Sequence, residues 1–138
     1  MIIRRYLNNK RGQAIVETAV VLPIVVLLLF SIVEFGQILN QYLVITAAAR
    51  EGARAAAVSN DAGAQTAVVD SVASINNDGL AVSITYPEGK REQGKSVTVT
   101  VSKPLQVTTP IIRELIEQAF APDLPVIIAQ SVMRVEQP

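Results

Sequence analysis

Arg11-Gly12-Gln13-Ala14-Ile15-Val16-Glu17 joins a short basic leader to an apolar stretch, and a single carboxylate stands at the start of that stretch. A carboxylate in hydrocarbon costs roughly 2.5 to 3.5 kcal/mol on insertion scales, so an acid kept in a membrane segment is a functional candidate by default. An ordinary anchor has no reason to retain Glu17. From Thr18 to Val33 the chain carries no charge. At 1.5 Å per residue that run covers about 24 Å, short of a hydrocarbon core of about 30 Å. Gln13 to Glu17 and the residues after Glu34 bring it to spanning length, provided Glu17 is tolerated.

Downstream, Phe35-Gly36-Gln37-Ile38-Leu39-Asn40-Gln41-Tyr42-Leu43-Val44-Ile45 alternates apolar and polar residues at helical spacing, so the helix is expected to run on out of the bilayer. It then turns alanine-rich. Ala47, Ala48, Ala49, Ala53, Ala55, Ala56 and Ala57 have the highest helix propensity and carry the helix to Val58, where Ser59-Asn60-Asp61 breaks the pattern. The small residues suit either close packing on the chain's own domain or close approach by a second helix. Pro23, inside the apolar run, lacks a backbone donor and is expected to kink or locally open the helix, or to be simply a tolerated membrane proline.

Charge is unevenly placed. The 138 residues hold 12 Lys and Arg against 12 Asp and Glu, yet Arg4, Arg5, Lys10 and Arg11 all precede Gly12 and no acid does. A basic segment before an apolar one is the positive-inside signal, so the N-terminus is expected in the cytoplasm and the remainder outside. Without a basic stripe interleaved with aromatics, nucleic acid is not an expected partner. The chain has no cysteine and no histidine, which removes disulfides, thiolate chemistry, the usual metal ligands and the usual general base. No cofactor, metal or catalytic constellation is expected. Glu114 and Glu117 lie on the polar side of an amphipathic segment, where solvated charge is the default.

The rest reads as a small α+β unit. Residues 62–73 predict a short helix, and Asn76-Asn77-Asp78-Gly79 a turn. Leu80, Val82, Ile84 and Tyr86 alternate with small polar residues, as do Val97, Val99 and Val101. Together they predict an antiparallel hairpin with one apolar face, joined by the polar turn Pro87 to Lys95, which on polarity alone is expected to be an exposed contact surface. Thr109-Pro110 offers a cap and a first-turn proline for an amphipathic helix to Phe120, ended by Pro122 and Pro125. Val126 to Val135 supplies a third strand. The expected organisation is a leader over 1–12, a long transmembrane and assembly helix over 13–58, and an extracytoplasmic domain over 59–138 with a three-stranded antiparallel sheet and short helices.

The motif Arg11 to Glu17, followed by Val21-Leu22-Pro23, Glu34-Phe35-Gly36 and Ala49-Arg50-Glu51-Gly52-Ala53-Arg54, resembles the TadE-like family of tight-adherence (Flp-type) pilus proteins. Ser131-Val132-Met133-Arg134-Val135-Glu136 is similar too, more weakly. The resemblance implies a pseudopilin-like fold and a minor pilin or pseudopilin, non-enzymatic, made as a prepilin. A membrane prepilin peptidase would cut after Gly12 and leave Gln13 as the new N-terminus, with Glu17 the fifth residue of the mature chain. It implies as partners the inner membrane, sister pilin or pseudopilin subunits and the pilus assembly platform. Thr18 stands where the family often has an aromatic residue. In pilins that glutamate pairs with the N-terminal amine of a neighbour, which fits the physics: a charge pair is screened little in lipid, so an unpaired acid favours transfer to a site that offers an amine. Recurrence in the family implies helix-packing roles for Pro23, Glu34, Phe35, Gly36, Arg50, Glu51, Gly52 and Arg54.

Duller readings stand beside these. Gly12 also reads as the plain end of a leader, Glu17 as a side chain that snorkels to the headgroups, and Glu34 with Phe35 as a mark of the outer interface. Glu51 and Arg54 form an ordinary surface pair worth a few tenths of a kcal/mol. A secreted or anchored domain behind an ordinary signal is the alternative function, although the apolar run exceeds the 7 to 15 residues of a usual signal core.

Overall fold

The computed structural model describes residues 10–121 and 125–137. The basic residues Arg4 and Arg5 and the helix-ending Pro122 lie outside them. Helix α1 runs from Lys10 to Val58, 49 residues, unbroken at Pro23. At 1.5 Å per residue it is about 73 Å long. The helix divides by burial. From Gly12 to Val33 every residue is exposed except the half-buried Ser31, and Glu34 is the first buried side chain. This exposed apolar run is long enough to cross a bilayer core. Thr18 and Ser31 turn their hydroxyls back onto the carbonyls of Ala14 and Leu27, so neither exposes an unmet donor along this run.

Above Glu34 the helix becomes part of a folded domain. Ile45, Ala48, Ala49, Ala53, Ala56 and Ala57 are buried. Recurring every three to four residues, they make one face, and the small side chains let a sheet lie close against it. Helix α2, Asp61–Ser71, begins at Asn60, whose side chain accepts from the Gly63 N–H at 2.8 Å. It buries Ala64 and Val68 against α1, and Val72 follows in the same row. The helix break expected at Ser59-Asn60-Asp61 is thus a cap that starts the next helix.

Strands β1 (Ala81–Thr85), β2 (Ser96–Pro104) and β3 (Val126–Arg134) form an antiparallel sheet in the order β1-β2-β3. Helix α3, Pro110–Phe120, lies between β2 and β3 in sequence. The central strand shows the alternation that the sequence carries: Val97, Val99 and Val101 are buried on the helix side, with Val82 and Ile84 of β1 paired opposite Val101 and Val99. Lys103 continues the same row and is fully buried. Gly79 closes the turn before β1 with φ of +74°, a conformation that side-chain-bearing residues rarely adopt.

The sheet also finishes the long helix. No basic residue lies in the last turn of α1, and its terminal carbonyls take donors from elsewhere in the chain. Ser59 N–H bonds the Ala55 carbonyl at 2.7 Å, Arg91 reaches the Ala56 carbonyl at 3.2 Å, and the Glu136 N–H bonds the Ala57 carbonyl at 2.9 Å. Arg91 thereby draws the Pro87 to Lys95 turn back to the helix end. Tyr86, at the start of that turn, donates to Asp61 at the first turn of α2. Burial, with the Asp61 carboxylate beside it, pushes the Tyr86 phenol up to about 12.

Candidate functional site

Gly12 and Gln13 lie in the first turns of α1, and a Cβ added at Gly12 would meet nothing within 4 Å. Glycine costs a helix interior roughly 0.5 to 1 kcal/mol relative to alanine. The fold therefore supplies no reason for glycine here. Glu17 is exposed on the apolar length of α1, and its Oε1 accepts from Gln13 Nε2 at 3.0 Å. A carboxylate has about four acceptor positions, so most of its capacity stays open. No basic side chain pairs with it among the described residues. Pro23 sits within the same exposed length.

At the domain end of that length the structure builds a polar clasp. Glu34, Gln37 and Gln41 lie on one face of α1, at i, i+3 and i+7, in line with the apolar row that begins at Ile45. All three bond the segment that joins β2 to α3. The Thr108 N–H donates to Glu34 Oε1 and the Thr109 N–H to Glu34 Oε2, each at 2.9 Å. The Thr108 hydroxyl donates to Gln37 Oε1 at 2.7 Å, and Gln41 Nε2 donates to the Gln106 carbonyl at 3.0 Å. Glu34 is 1% exposed. The carboxylate lies at the N-terminus of α3, where unpaired N–H groups and the helix dipole favour negative charge. Thr109, expected to cap α3, makes no side-chain cap bond, and its backbone N–H donates to Glu34.

The other motif residues divide between the two sides of α1. Gly52 faces the domain: a Cβ there would lie 2.4 Å from Val68 Cγ2 and 3.2 Å from Val99 Cγ1, so only glycine admits this closeness of α1, α2 and β2. Phe35 is 67% exposed, and a Cβ at Gly36 would meet nothing within 4 Å. Arg50, Glu51 and Arg54 are exposed, with Arg54 and Glu51 in a loose 3.9 Å pair. They share the free side of the helix with Leu39, Tyr42 and Leu43. Thus the structure brings Glu34 and Gly52 into the domain and leaves Glu17, Phe35, Gly36, Arg50, Glu51 and Arg54 on surface that the chain does not cover.

Sequence reading did not single out Gln37, Gln41, Thr108 or Lys103. Polar residues at i, i+3 and i+7 between an apolar helix and an alanine face are a signal for the first two. Nothing local marks Thr108. Among the described residues Lys103 Nζ has no hydrogen-bond partner, and burial lowers its pKa, with Asp78 partly offsetting that. Among the described residues no cluster of acidic side chains has the makings of a metal site.

A family model described as TadE-like protein matches residues 12–54. No curated protein and no solved structure matches the chain. The match begins at Gly12, runs through Glu17 and the whole exposed length, and ends at Arg54. Its family is a structural one rather than an enzymatic one. Over Gly12 to Arg54, α1 is thus similar to the TadE-like proteins of tight-adherence pilus assembly, and it is long and apolar enough to cross a membrane.

Proposed function

We propose that this chain is a minor pilin or pseudopilin of a tight-adherence (Flp) pilus apparatus. Its prepilin peptidase cuts after Gly12, and α1 then serves both as membrane anchor and as assembly helix. The observation that carries this reading is Glu17, a carboxylate exposed on the apolar length of α1 with one hydrogen bond, from Gln13. Alone in lipid such a group is costly. Beside the new amine of a neighbouring subunit's Gln13 it is neutralised in a medium that screens little. That difference favours leaving the bilayer for the filament.

The domain's geometry supports the same division of labour. One side of α1 is consumed by its own sheet, and the other, with Gly36, Arg50, Glu51 and Arg54, is open for packing against sister helices. Gly36 lets a neighbour's backbone approach closely just above the bilayer. Arg50 and Arg54 offer cations to acidic partners further along. The basic leader places the N-terminus in the cytoplasm and the domain on the outer side of the inner membrane. N-terminal mass spectrometry of the protein from its native membrane, with and without the peptidase, tests the reading. A peptide beginning at Gln13 that vanishes without the peptidase, and that Gly12→Leu also abolishes, is the expected result. An intact Met1 in both strains would leave an anchored domain and no pilin.

A further inference from the structure

Helix α3 is amphipathic and has no buried residue. Ile111, Leu115 and Phe120 are 57, 54 and 55% exposed, and Ile112 and Ile116 are half-buried beside them. At i, i+4 and i+8 or i+9 these five make one continuous apolar face, while Arg113, Glu114, Glu117 and Gln118 take the other, Arg113 pairing with Glu117 at 2.8 Å. A helix whose apolar face meets so little protein needs another apolar surface.

Its position says which. Glu34 is where α1 stops being exposed and apolar, and so marks the outer edge of the bilayer; its carboxylate holds the N–H groups of Thr108 and Thr109 at the start of α3. At the same end of the sheet the Leu105 N–H bonds the Pro125 carbonyl at 2.8 Å, and Pro104 pairs with Val126. Both connections of α3 are therefore fixed at the membrane-proximal end of the domain. Val126 and Ile128, 51 and 61% exposed, open the adjoining strand there.

We propose that α3 is an interfacial helix that lies in the outer headgroup layer with Ile111 and Leu115 turned into lipid. Its apolar face continues the lipid-contacting surface of α1 around the base of the domain. Helices of this kind bury their apolar side about 5 to 10 Å into the boundary between headgroups and acyl chains. With one arginine against two glutamates on the polar face, binding rests on apolar burial and not on anionic lipid. Glu34 then couples two membrane contacts, and the domain sits at one height and tilt until the subunit is extracted.

This inference rests on α1 crossing the membrane, and the test separates the two. The chain has no cysteine, so single cysteines can be introduced into the full-length protein and labelled with an environment-sensitive dye in phosphatidylcholine vesicles. Leu28→Cys reports the span, Leu115→Cys the apolar face of α3, and Glu114→Cys its polar face. The expected result is a Leu28 label quenched by spin labels deep in the acyl chains. The Leu115 label is blue-shifted and quenched by spin labels at headgroup depth, equally with and without phosphatidylglycerol, and the Glu114 label is quenched by aqueous iodide. A Leu115 label open to iodide while Leu28 is lipid-quenched overturns the proposal and leaves the span intact. Protection of Leu115 that disappears when protein is diluted with empty lipid assigns the face to a second copy and also overturns it. A Leu28 label without lipid quenching sinks both.

Discussion

Removing the Glu34 carboxylate frees two backbone donors at once. The Thr108 and Thr109 N–H groups each bond a different oxygen at 2.9 Å, and hydrogen bonds to a charged group contribute about 1.5 to 3 kcal/mol apiece. Two such bonds set an upper bound of about 6 kcal/mol on the cost of Glu34→Ala. The real loss is smaller, because Thr108 is exposed and its N–H can turn to water. About 2 to 3 kcal/mol is expected for local opening of the 105–120 segment, which is roughly a 30- to 140-fold faster amide exchange there. Glu34→Gln keeps one acceptor but sets an NH2 against the other N–H, so about half that loss is expected. Gln37→Ala removes a single neutral bond to an exposed hydroxyl and is expected to cost about 1 kcal/mol or less. Hydrogen exchange of the full-length chain in detergent, read on peptides covering 105–120 against those covering β2, measures all three. Unchanged exchange at 105–120 in Glu34→Ala would refute the clasp, and equal acceleration in β2 would show that Glu34 supports the whole domain and not α3 alone.

Glu17→Ala is expected to be processed normally yet to assemble poorly, since cleavage and extraction use different groups; full piliation by that variant would remove Glu17 from the assembly step. Gly52→Ala sets overpacking against Val68 and Val99, about 1 to 3 kcal/mol, against a gain in helix propensity of up to about 1 kcal/mol. A net loss in thermal stability is expected, partly recovered by adding Val68→Ala, and a neutral Gly52→Ala would contradict the close approach. Lys103→Met replaces a buried amine that has no partner among the described residues with an apolar side chain of similar length, and about 1 to 3 kcal/mol of stabilisation is expected in thermal melts. The folded Lys103 has a pKa below its ordinary 10.5, so between the two values the unfolded chain holds the extra proton and stability rises with pH. The advantage of Lys103→Met should therefore shrink as pH climbs toward 10.5; a constant advantage would mean that the fold does not lower the Lys103 pKa.

The sequence by itself determined the parts whose information is carried by near neighbours. An uncharged run followed by helical alternation and alanine specifies one helix across membrane and domain, because hydropathy and propensity act over three or four residues. Period-two alternation in 80–86 and 96–101 specifies the hairpin and its inner face in the same way. The TadE-like motifs are also contiguous, from Gly12 to Arg54. The tertiary structure alone decided how those pieces are used. Glu34 and Thr108 are 74 residues apart, and Arg91 caps a carbonyl 35 residues before it, so neither contact leaves a mark in any local window. Lys103 reads as the polar end of a strand, yet strand alternation places it in the core row behind Val101. The alanines suit a sister helix or a sheet equally well by size. Only packing assigned their face to the chain's own sheet and left the opposite face, and the length around Glu17, free.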